Sequence, residues 1–277
     1  LVGQSGGPTA VINSSLAGVI QAAKKYGAEK VYGMHYGIEG FLNEDIIDLD
    51  DYITCHADIS LLKRTPASFL GSCRYKLPPI EGNEDVYDKM FDIMEKYNIQ
   101  YFLYIGGNDS MDTIKMLSDY AAKKDKPQKF MGVPKTIDND LPLTDHTPGY
   151  GSAAKYIATS MKEIIRDNAS FGASKPTVCI VEIMGRHAGW LAAASALSKG
   201  IDCEGPDLIY LPEVPFDLDS FMTKVKHLAE TKRSVVIAVS EGIRLTDGRF
   251  VCELGSMSDY VDAFGHKQLT GCASFLA

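Results

Sequence analysis

A chain of 277 residues with 45% hydrophobic residues is long enough for one large or two medium globular domains. Its formal net charge of -8 argues against a general nucleic-acid binder, which needs a basic face for the phosphate backbone, and leaves room only for a local basic pocket. No apolar run approaches the roughly 20 residues that span a bilayer, so no membrane partner is expected.

The chain opens on Leu1-Val2-Gly3, which reads as the last residues of a strand; with no Met there, a few residues are expected to precede it. GQSGGPTAVINSSLAGVI follows. Gly3, Ser5, Gly6 and Gly7 let backbone approach a ligand closely. Val11, Ile12, Ser15, Leu16, Val19 and Ile20 then recur at helical spacing. A strand, a glycine turn and a helix N-terminus make an anion site, because backbone N–H groups and the helix dipole point at it. A tight turn with no ligand has the same composition, and the stretch is neither the Walker pattern nor GxGxxG. Residues 30 to 63 hold a short strand, Lys30 to Met34, and little chemistry. Ser68 to Lys76 places two cations, Arg74 and Lys76, in a glycine-containing loop, where an arginine fork can reach a phosphate. A solvated surface loop fits equally well.

Asp85 to Tyr97 is helical, with Val86, Met90, Ile93 and Met94 on one face. Tyr101 to Ile105 is an apolar strand running into Gly106-Gly107-Asn108-Asp109-Ser110, and Met111 to Tyr120 is helical again. In this second strand-glycine-helix unit, Asn108, Asp109 and Ser110 offer oxygen ligands where a phosphate and its hard metal ion would sit. Ser110 also fits a helix N-cap. A charged link, Lys123 to Lys129, leads to a buried strand, Phe130 to Val133, stopped by Pro134. Lys135-Thr136-Ile137-Asp138-Asn139-Asp140 follows. Carboxylates this close, at a strand end beside a cation, suit a site where a hydroxyl loses its proton while phosphate charge is held nearby. Asp, Asn and Pro are also ordinary turn formers.

Asp145 to Gly151 is a polar loop and Ser152 to Arg166 a helix. Thr177 to Ile183 is an apolar strand ending in Met184-Gly185-Arg186-His187, with a helix from Ala188 to Leu197. A cation at that mouth suits a sugar phosphate or a transferring phosphoryl group; Trp190 is expected in the core. Asp207 to Leu211 is a strand, Ser220 to Thr231 a helix, and Ser234 to Val239 a strand ending in Ser240-Glu241-Gly242. A carboxylate there can accept from sugar hydroxyls or simply face water. Asp247-Gly248 is a turn, and the chain closes on the apolar Phe275-Leu276-Ala277. The six cysteines (Cys55, Cys73, Cys179, Cys203, Cys252, Cys272) show no CxxC spacing; most read as small core residues, and a reduced cytoplasm fits best.

Strands alternating with helices imply a largely parallel sheet covered on both faces, and in such sheets ligands gather at the carboxyl ends of strands. Every polar cluster named above lies there. The reaction class this suggests is phosphoryl transfer to a hydroxyl.

GGNDS at 106–110, PKTIDNDL at 134–141 and MGRHAGW at 184–190 resemble the phosphofructokinases; with QSGGPTAVIN at 4–13 the match is closest to their pyrophosphate-dependent branch. The resemblance covers almost the whole chain. It implies two three-layer α/β/α domains with largely parallel sheets: residues 1–140 for the phosphoryl donor, pyrophosphate, and 141–277 for fructose 6-phosphate. It implies Mg2+, a cytoplasmic location and a homo-oligomer, dimer or tetramer. By motif, Asp138 resembles the general base for the sugar 1-hydroxyl and Asp140 the second carboxylate that sets charge and metal position. Thr136 and Ile137 fall on the substrate side. Met184, Gly185 and Arg186 resemble sugar-phosphate and transition-state contacts, and Glu241 the carboxylate that binds the sugar. Gly6, Gly7, Arg74, Gly107, Asp109 and Ser110 match donor-side positions, and Asn108 and Asp109 the metal-facing pair.

Donor choice is expected to rest on two positions. ATP-using members typically carry GGDGS and PGTIDND; here Asp109 and Lys135 stand where those have glycine. A carboxylate at 109 would repel a nucleotide α-phosphate, and Lys135 can stabilise the departing phosphate. Two departures stand out. Asn108 replaces the usual metal-facing Asp, which predicts weaker metal affinity or a share for Asp109. The family's next segment, with basic residues that grip the sugar 6-phosphate, has no counterpart here, nor does the arginine expected shortly before MGR, where Lys175 is nearest. The chain is therefore expected to be a fragment. An ATP-dependent phosphofructokinase, a kinase for another sugar phosphate such as sedoheptulose 7-phosphate, and a non-catalytic regulatory subunit remain as alternatives.

Overall fold

The computed structural model describes residues 1–171, 175–255 and 271–277. They form two compact units that divide between Thr136 and Ile137. The division falls a few residues before the expected 140/141 boundary, because Ile137 already packs with the second unit's Met161, Ile183 and Leu191.

The first unit runs β1 (Val2–Gln4), α1 (Ile12–Lys25), β2 (Tyr32–Met34), α2 (Gly37–Leu42), β3 (Ile46–Asp48), α3 (His56–Leu62), α4 (Glu84–Lys96), β4 (Tyr101–Gly106), α5 (Asn108–Lys123) and β5 (Lys129–Pro134). Its sheet has the order β3-β2-β1-β4-β5 and is parallel except where β3 pairs antiparallel with β2. Alternation along β4 builds the layers. Phe102 and Tyr104 point into a core shared with Phe41 of α2, Phe91 of α4 and Leu117 of α5. Leu103 and Ile105 face the other way, against Ile12, Leu16 and Ile20 of α1 and Ile59 of α3. Acidic residues in the first turns of α4 and α5 and lysines in their last turns complement the helix dipoles.

This order creates a switch point. From β1 the chain moves outward to β2; later it returns on the other side of β1 as β4 and moves on to β5. The helices that follow β1 and β4 therefore lie on opposite faces, and the loops after these two adjacent strands part and leave a crevice at their carboxyl ends.

The second unit holds α6 (Tyr150–Ser170), β6 (Thr177–Ile183), α7 (Trp190–Ala194), β7 (Leu208–Tyr210), α8 (Leu218–Thr231), β8 (Ser234–Ser240), α9 (Cys252–Gly255) and α10 (Cys272–Leu276). Its described strands are parallel in the order β6-β8-β7. Along β8, Val235, Ile237 and Val239 pack with Phe221, Val251 and Leu276, while Val236 and Ala238 pack with Met161 of α6 and Leu191 of α7. Helices thus cover both faces in each unit. No described helix is long and apolar enough to cross a membrane.

Some elements differ from expectation. Residues 30–63 carry α2, β3 and α3 besides β2. The helix expected over 188–197 is the short α7 followed by a 3-10 turn, Ser195–Ser198. Asp207, expected in a strand, instead accepts from Val236 N at 2.8 Å and Lys232 Nζ at 2.7 Å. Trp190 is 52% exposed rather than in the core, with its ring edge-on to Tyr150. Of the cysteines, Cys73, Cys203, Cys252 and Cys272 are buried as expected, and Cys55 is exposed.

Candidate active site

At the crevice of the first unit three loops converge, those after β1, β4 and β5. Lys135 stands at their centre. Its backbone N–H donates to the Gly106 carbonyl at 3.0 Å, continuing the β5–β4 pairing by one residue. Its side chain turns toward the β1 loop, where Nζ donates to the Gly7 carbonyl at 2.7 Å. Only 5% of the residue is exposed. A lysine this buried must keep its charge satisfied by hydrogen bonds, so its ammonium is held in place rather than swinging in solvent.

Gly6 makes room for it. Its φ is +73°, and a Cβ at that position would lie 3.2 Å from Lys135 Nζ. A third strand of backbone completes the loop: Gly6 N donates to the Cys73 carbonyl at 3.3 Å, and Ser72 Oγ donates to the Gly6 carbonyl at 2.6 Å. Arg74 follows directly and is exposed. On the β4 side, Gly107 rather than Ser110 is the N-cap of α5, and no side chain caps that end. Ser110 is buried in the first turn, pressed so close to Gly106 that a Cβ there would lie 2.0 Å from its Oγ. Asn108 is exposed and Asp109 half-buried.

Among the described residues no group of three or more His, Cys, Asp or Glu could hold a metal. The donor set suits a different kind of ion. Mg2+ keeps several waters and takes much of its shell from phosphate oxygens, so one or two protein oxygens suffice. The carboxylate of Asp109 and the amide of Asn108, both at the start of α5, meet that need.

In the second unit the ends of β6 and β8 lie side by side. Glu241 N donates to the Ile183 carbonyl at 2.9 Å, and Glu241 Oε1 accepts from Gly185 N at 3.1 Å. Ser240 Oγ donates to the Gly185 carbonyl at 2.5 Å. Gly185 has φ +147°, and a Cβ on Gly242 would lie 2.1 Å from the Arg186 carbonyl, so both glycines are steric necessities. Burial pushes the Glu241 carboxyl above the usual range. The Gly185 N–H and Arg186 pull it back, while Asp138 and Glu182 push it further up. Asp138 and Glu241 are thus electrostatic neighbours, with Arg186 close to Glu241.

The Asp138 carboxylate has one oxygen, Oδ1, shielded from solvent. Next to it Asn139 has φ 57° and is buried; its Nδ2 donates to the Asp145 carbonyl at 3.1 Å and its Oδ1 accepts from Thr147 N at 2.8 Å. This closes the chain back on itself after Asp138. Asp140 and Met184 are exposed, and Thr136, Ile137 and Arg186 half-buried. His187 and Arg244 also meet here, with Arg244 Nη2 to His187 Nδ1 at 2.8 Å and the guanidinium over the Phe250 ring.

The structure therefore joins Gly6, Gly7 and Lys135 at one strand-end cluster. It joins Gly185 and Glu241, near Arg186 and Asp138, at another. Arg74, Asn108, Asp140 and Met184 lie exposed. Ser72, Ser240 and Asn139, which hold the loops, were not singled out by sequence. Only Asn139 carried a signal, as an Asx residue in a turn-forming stretch.

Layering, strand order and the switch point define a doubly wound α/β protein. The chain belongs to the phosphofructokinase family, whose sequence model matches residues 1–276. It is 45% identical over 276 residues to the pyrophosphate–fructose 6-phosphate 1-phosphotransferase of Halomonas elongata, which covers 99% of this chain and 64% of that protein. It is 44% identical to the enzyme of the same name from Xanthomonas campestris, over 100% of this chain and 65% of that one. The crystal structure of the pyrophosphate-dependent phosphofructokinase from Nitrosospira multiformis superposes with a TM-score of 0.80 at 42% identity, over 90% of this chain and 61% of the other. The chain thus spans about two thirds of the length of the curated relatives it matches.

Proposed function

We propose that this chain carries the phosphoryl-transfer chemistry of a pyrophosphate-dependent 6-phosphofructokinase. The reaction transfers a phosphoryl group from pyrophosphate to the 1-hydroxyl of fructose 6-phosphate, reversibly, giving fructose 1,6-bisphosphate and phosphate. The observation that carries the reading is the buried Lys135 ammonium fastened to the Gly7 carbonyl. A fixed cation at a glycine-lined strand end suits a leaving group that departs as bare phosphate. With ATP the corresponding charge sits on a nucleotide diphosphate, which needs more room.

In this reading residues 1–140 serve the donor and residues 141–277 the sugar. Asp138 accepts the proton of the 1-hydroxyl as that oxygen attacks phosphorus. The bridging P–O bond breaks, and Lys135 takes up the charge growing on the departing phosphate. Arg186 neutralises the phosphoryl group in flight, and Asp140 sets the charge around it. Glu241 accepts from the sugar hydroxyls, with Met184, Gly185, Thr136 and Ile137 shaping the acceptor side. Gly6, Gly7, Gly107 and Ser110 give the donor backbone room, and Arg74 reaches its outer phosphate. Mg2+, when bound, offsets charge on the pyrophosphate oxygens, and Asn108 and Asp109 are the residues that would hold it. A cytoplasmic homo-oligomer, dimer or tetramer, is part of the same proposal.

The test is phosphotransfer to fructose 6-phosphate with Mg2+, run with pyrophosphate and with ATP. Turnover with pyrophosphate alone is expected. Asp109→Gly combined with Lys135→Gly is expected to shift preference toward ATP. Turnover with ATP in the unaltered protein, or a donor preference unmoved by the double substitution, would overturn the donor assignment.

A further inference from the structure

Two buried side-chain amides lie behind the donor loop, and no residue of the proposed chemistry explains them. Gln4, the last residue of β1, is fully buried, and Asn13, in the first turn of α1, is 1% exposed. Gln4 Nε2 donates to Asn13 Oδ1 at 2.9 Å and to the Ile12 carbonyl at 3.2 Å. Gln4 Oε1 accepts from Ser68 Oγ at 2.9 Å and from Leu70 N at 2.8 Å. Asn13 Nδ2 donates to the carbonyls of Thr65 and Ala67, both at 2.9 Å, and its Oδ1 also accepts from Phe69 N at 2.9 Å. Both amides are used at both ends, so neither can flip without stranding buried donors and acceptors.

All but two of these bonds end on the loop from Thr65 to Leu70. That loop is not relaxed: Ala67 has φ 63°, a region that a side-chain-bearing residue enters at a cost. It is also the loop that reaches the ligand-facing backbone. Two residues beyond Leu70, Ser72 Oγ donates to the Gly6 carbonyl, and the Cys73 carbonyl accepts from Gly6 N and from Ser5 Oγ at 3.4 Å. Gly6 precedes Gly7, whose carbonyl holds Lys135 Nζ. The contacts run without a gap from the amide pair, through the loop, to the peptide that fixes the buried cation.

We propose that Gln4 and Asn13 are positioning residues for the phosphoryl donor: they clamp the 65–73 loop so that Gly6, Lys135 and Arg74 keep the geometry pyrophosphate needs. This rests on the reading above that these groups face the donor. Neither amide would touch substrate.

The experiment compares Gln4→Met and Asn13→Asp with the unaltered full chain. Gln4→Met keeps length and removes every bond of that amide. Asn13→Asp keeps the acceptor for Phe69 N and sets a carboxylate oxygen against the two carbonyls. KM for pyrophosphate is expected to rise about tenfold or more in each, with KM for fructose 6-phosphate within about twofold. The effects of Gln4→Met and Ser72→Ala are expected to combine to less than their product. Amide exchange at Gly6, Phe69 and Leu70 is expected to speed up while that of β4 does not. Equal loss on both substrates, a product of independent effects, or unchanged exchange at Gly6 would each overturn the proposal. If Gln4→Met does not fold, Asn13→Asp decides. If the unaltered protein transfers nothing from pyrophosphate, the reaction assignment fails separately, and exchange at Gly6 still settles whether the clamp holds the loop.

Discussion

The first unit buries a cation at its strand ends, the second half-buries a carboxylate, and the two charges are held differently. Lys135 is fastened to backbone: its Nζ donates to the Gly7 carbonyl, and the surrounding loops are fastened by Ser72 and the Gln4–Asn13 pair. Glu241 has a backbone donor, Gly185 N, and Arg186 in reach, yet burial and two neighbouring carboxylates outweigh them and raise its pKa. One charge is held against an oriented backbone carbonyl that need not move during reaction. The other is kept at a cost. A phosphate end rewards the first arrangement, because a preorganised donor stabilises negative charge without reorganisation. A sugar end rewards the second, because a strained acceptor gains most when a hydroxyl arrives to satisfy it.

The largest effect is expected where the comparison is bypassed altogether, at the proton. Asp138→Asn keeps shape and removes the proposed base. Turnover should fall about 10³-fold, with KM for fructose 6-phosphate changed by no more than a few-fold. Steady-state kinetics check it; turnover within tenfold of the parent would mean that the proton leaves by another route.

Gly6→Ala probes the dipole-held cation. The new Cβ must adopt φ +73° and approach Lys135 Nζ to 3.2 Å. The ammonium gives way more easily than backbone, so its bond to Gly7 is the first casualty. Turnover with pyrophosphate should drop about 10- to 100-fold, and the left-handed φ should cost roughly 1–2 kcal/mol of stability. Denaturant unfolding and kinetics read the two effects separately. A stability loss with unaltered turnover would mean that Lys135 need not be held where it is.

Much of this was legible in sequence, for identifiable reasons. β4 and β8 are largely apolar runs that end in glycine and serine, and β5 and β6 carry the apolar stretches Phe130 to Val133 and Val178 to Val181, which mark them as strands. The short strand expected at Lys30 to Met34 is β2, whereas the three-residue strand β3 and the short helix α2 carry no comparable pattern. Tertiary fit sets them: Gly37, which opens α2, must lack a Cβ because Cys73 Sγ and Tyr104 OH would lie 2.7 Å from it. At the site, the motifs located the strand ends but not the bonds across them. Lys135 and Gly7 are 128 positions apart, and nothing local marks their hydrogen bond. Ser110 has the composition of an N-cap, yet Gly107 caps α5 and Ser110 is buried in its first turn. Trp190 reads as core by its size, but it opens a five-residue helix too short to turn every apolar face inward.

The smallest expected effect is the most direct test of the costly carboxylate. Glu241→Gln keeps a carbonyl oxygen for Gly185 N and removes the ionisable proton. In the parent, the folded-state pKa of Glu241 lies above the ordinary value of 4.5. A raised pKa means that the fold prefers the protonated form. That contribution to stability is fully present below the unfolded value and is lost as pH rises through the folded value. The parent should therefore lose stability relative to Glu241→Gln from about pH 4.5 upward, levelling once the folded carboxyl has ionised. Parallel denaturant titrations across pH 4 to 8 would show it as a widening and then constant gap. A gap that stayed flat with pH would mean that Glu241 rests as comfortably as a surface glutamate. The variant should also bind fructose 6-phosphate about tenfold less tightly, since a neutral amide oxygen accepts from hydroxyls more weakly than a carboxylate. Gained stability together with lost sugar affinity is what the comparison requires of this residue, and either change alone would separate the electrostatic cost of Glu241 from its use.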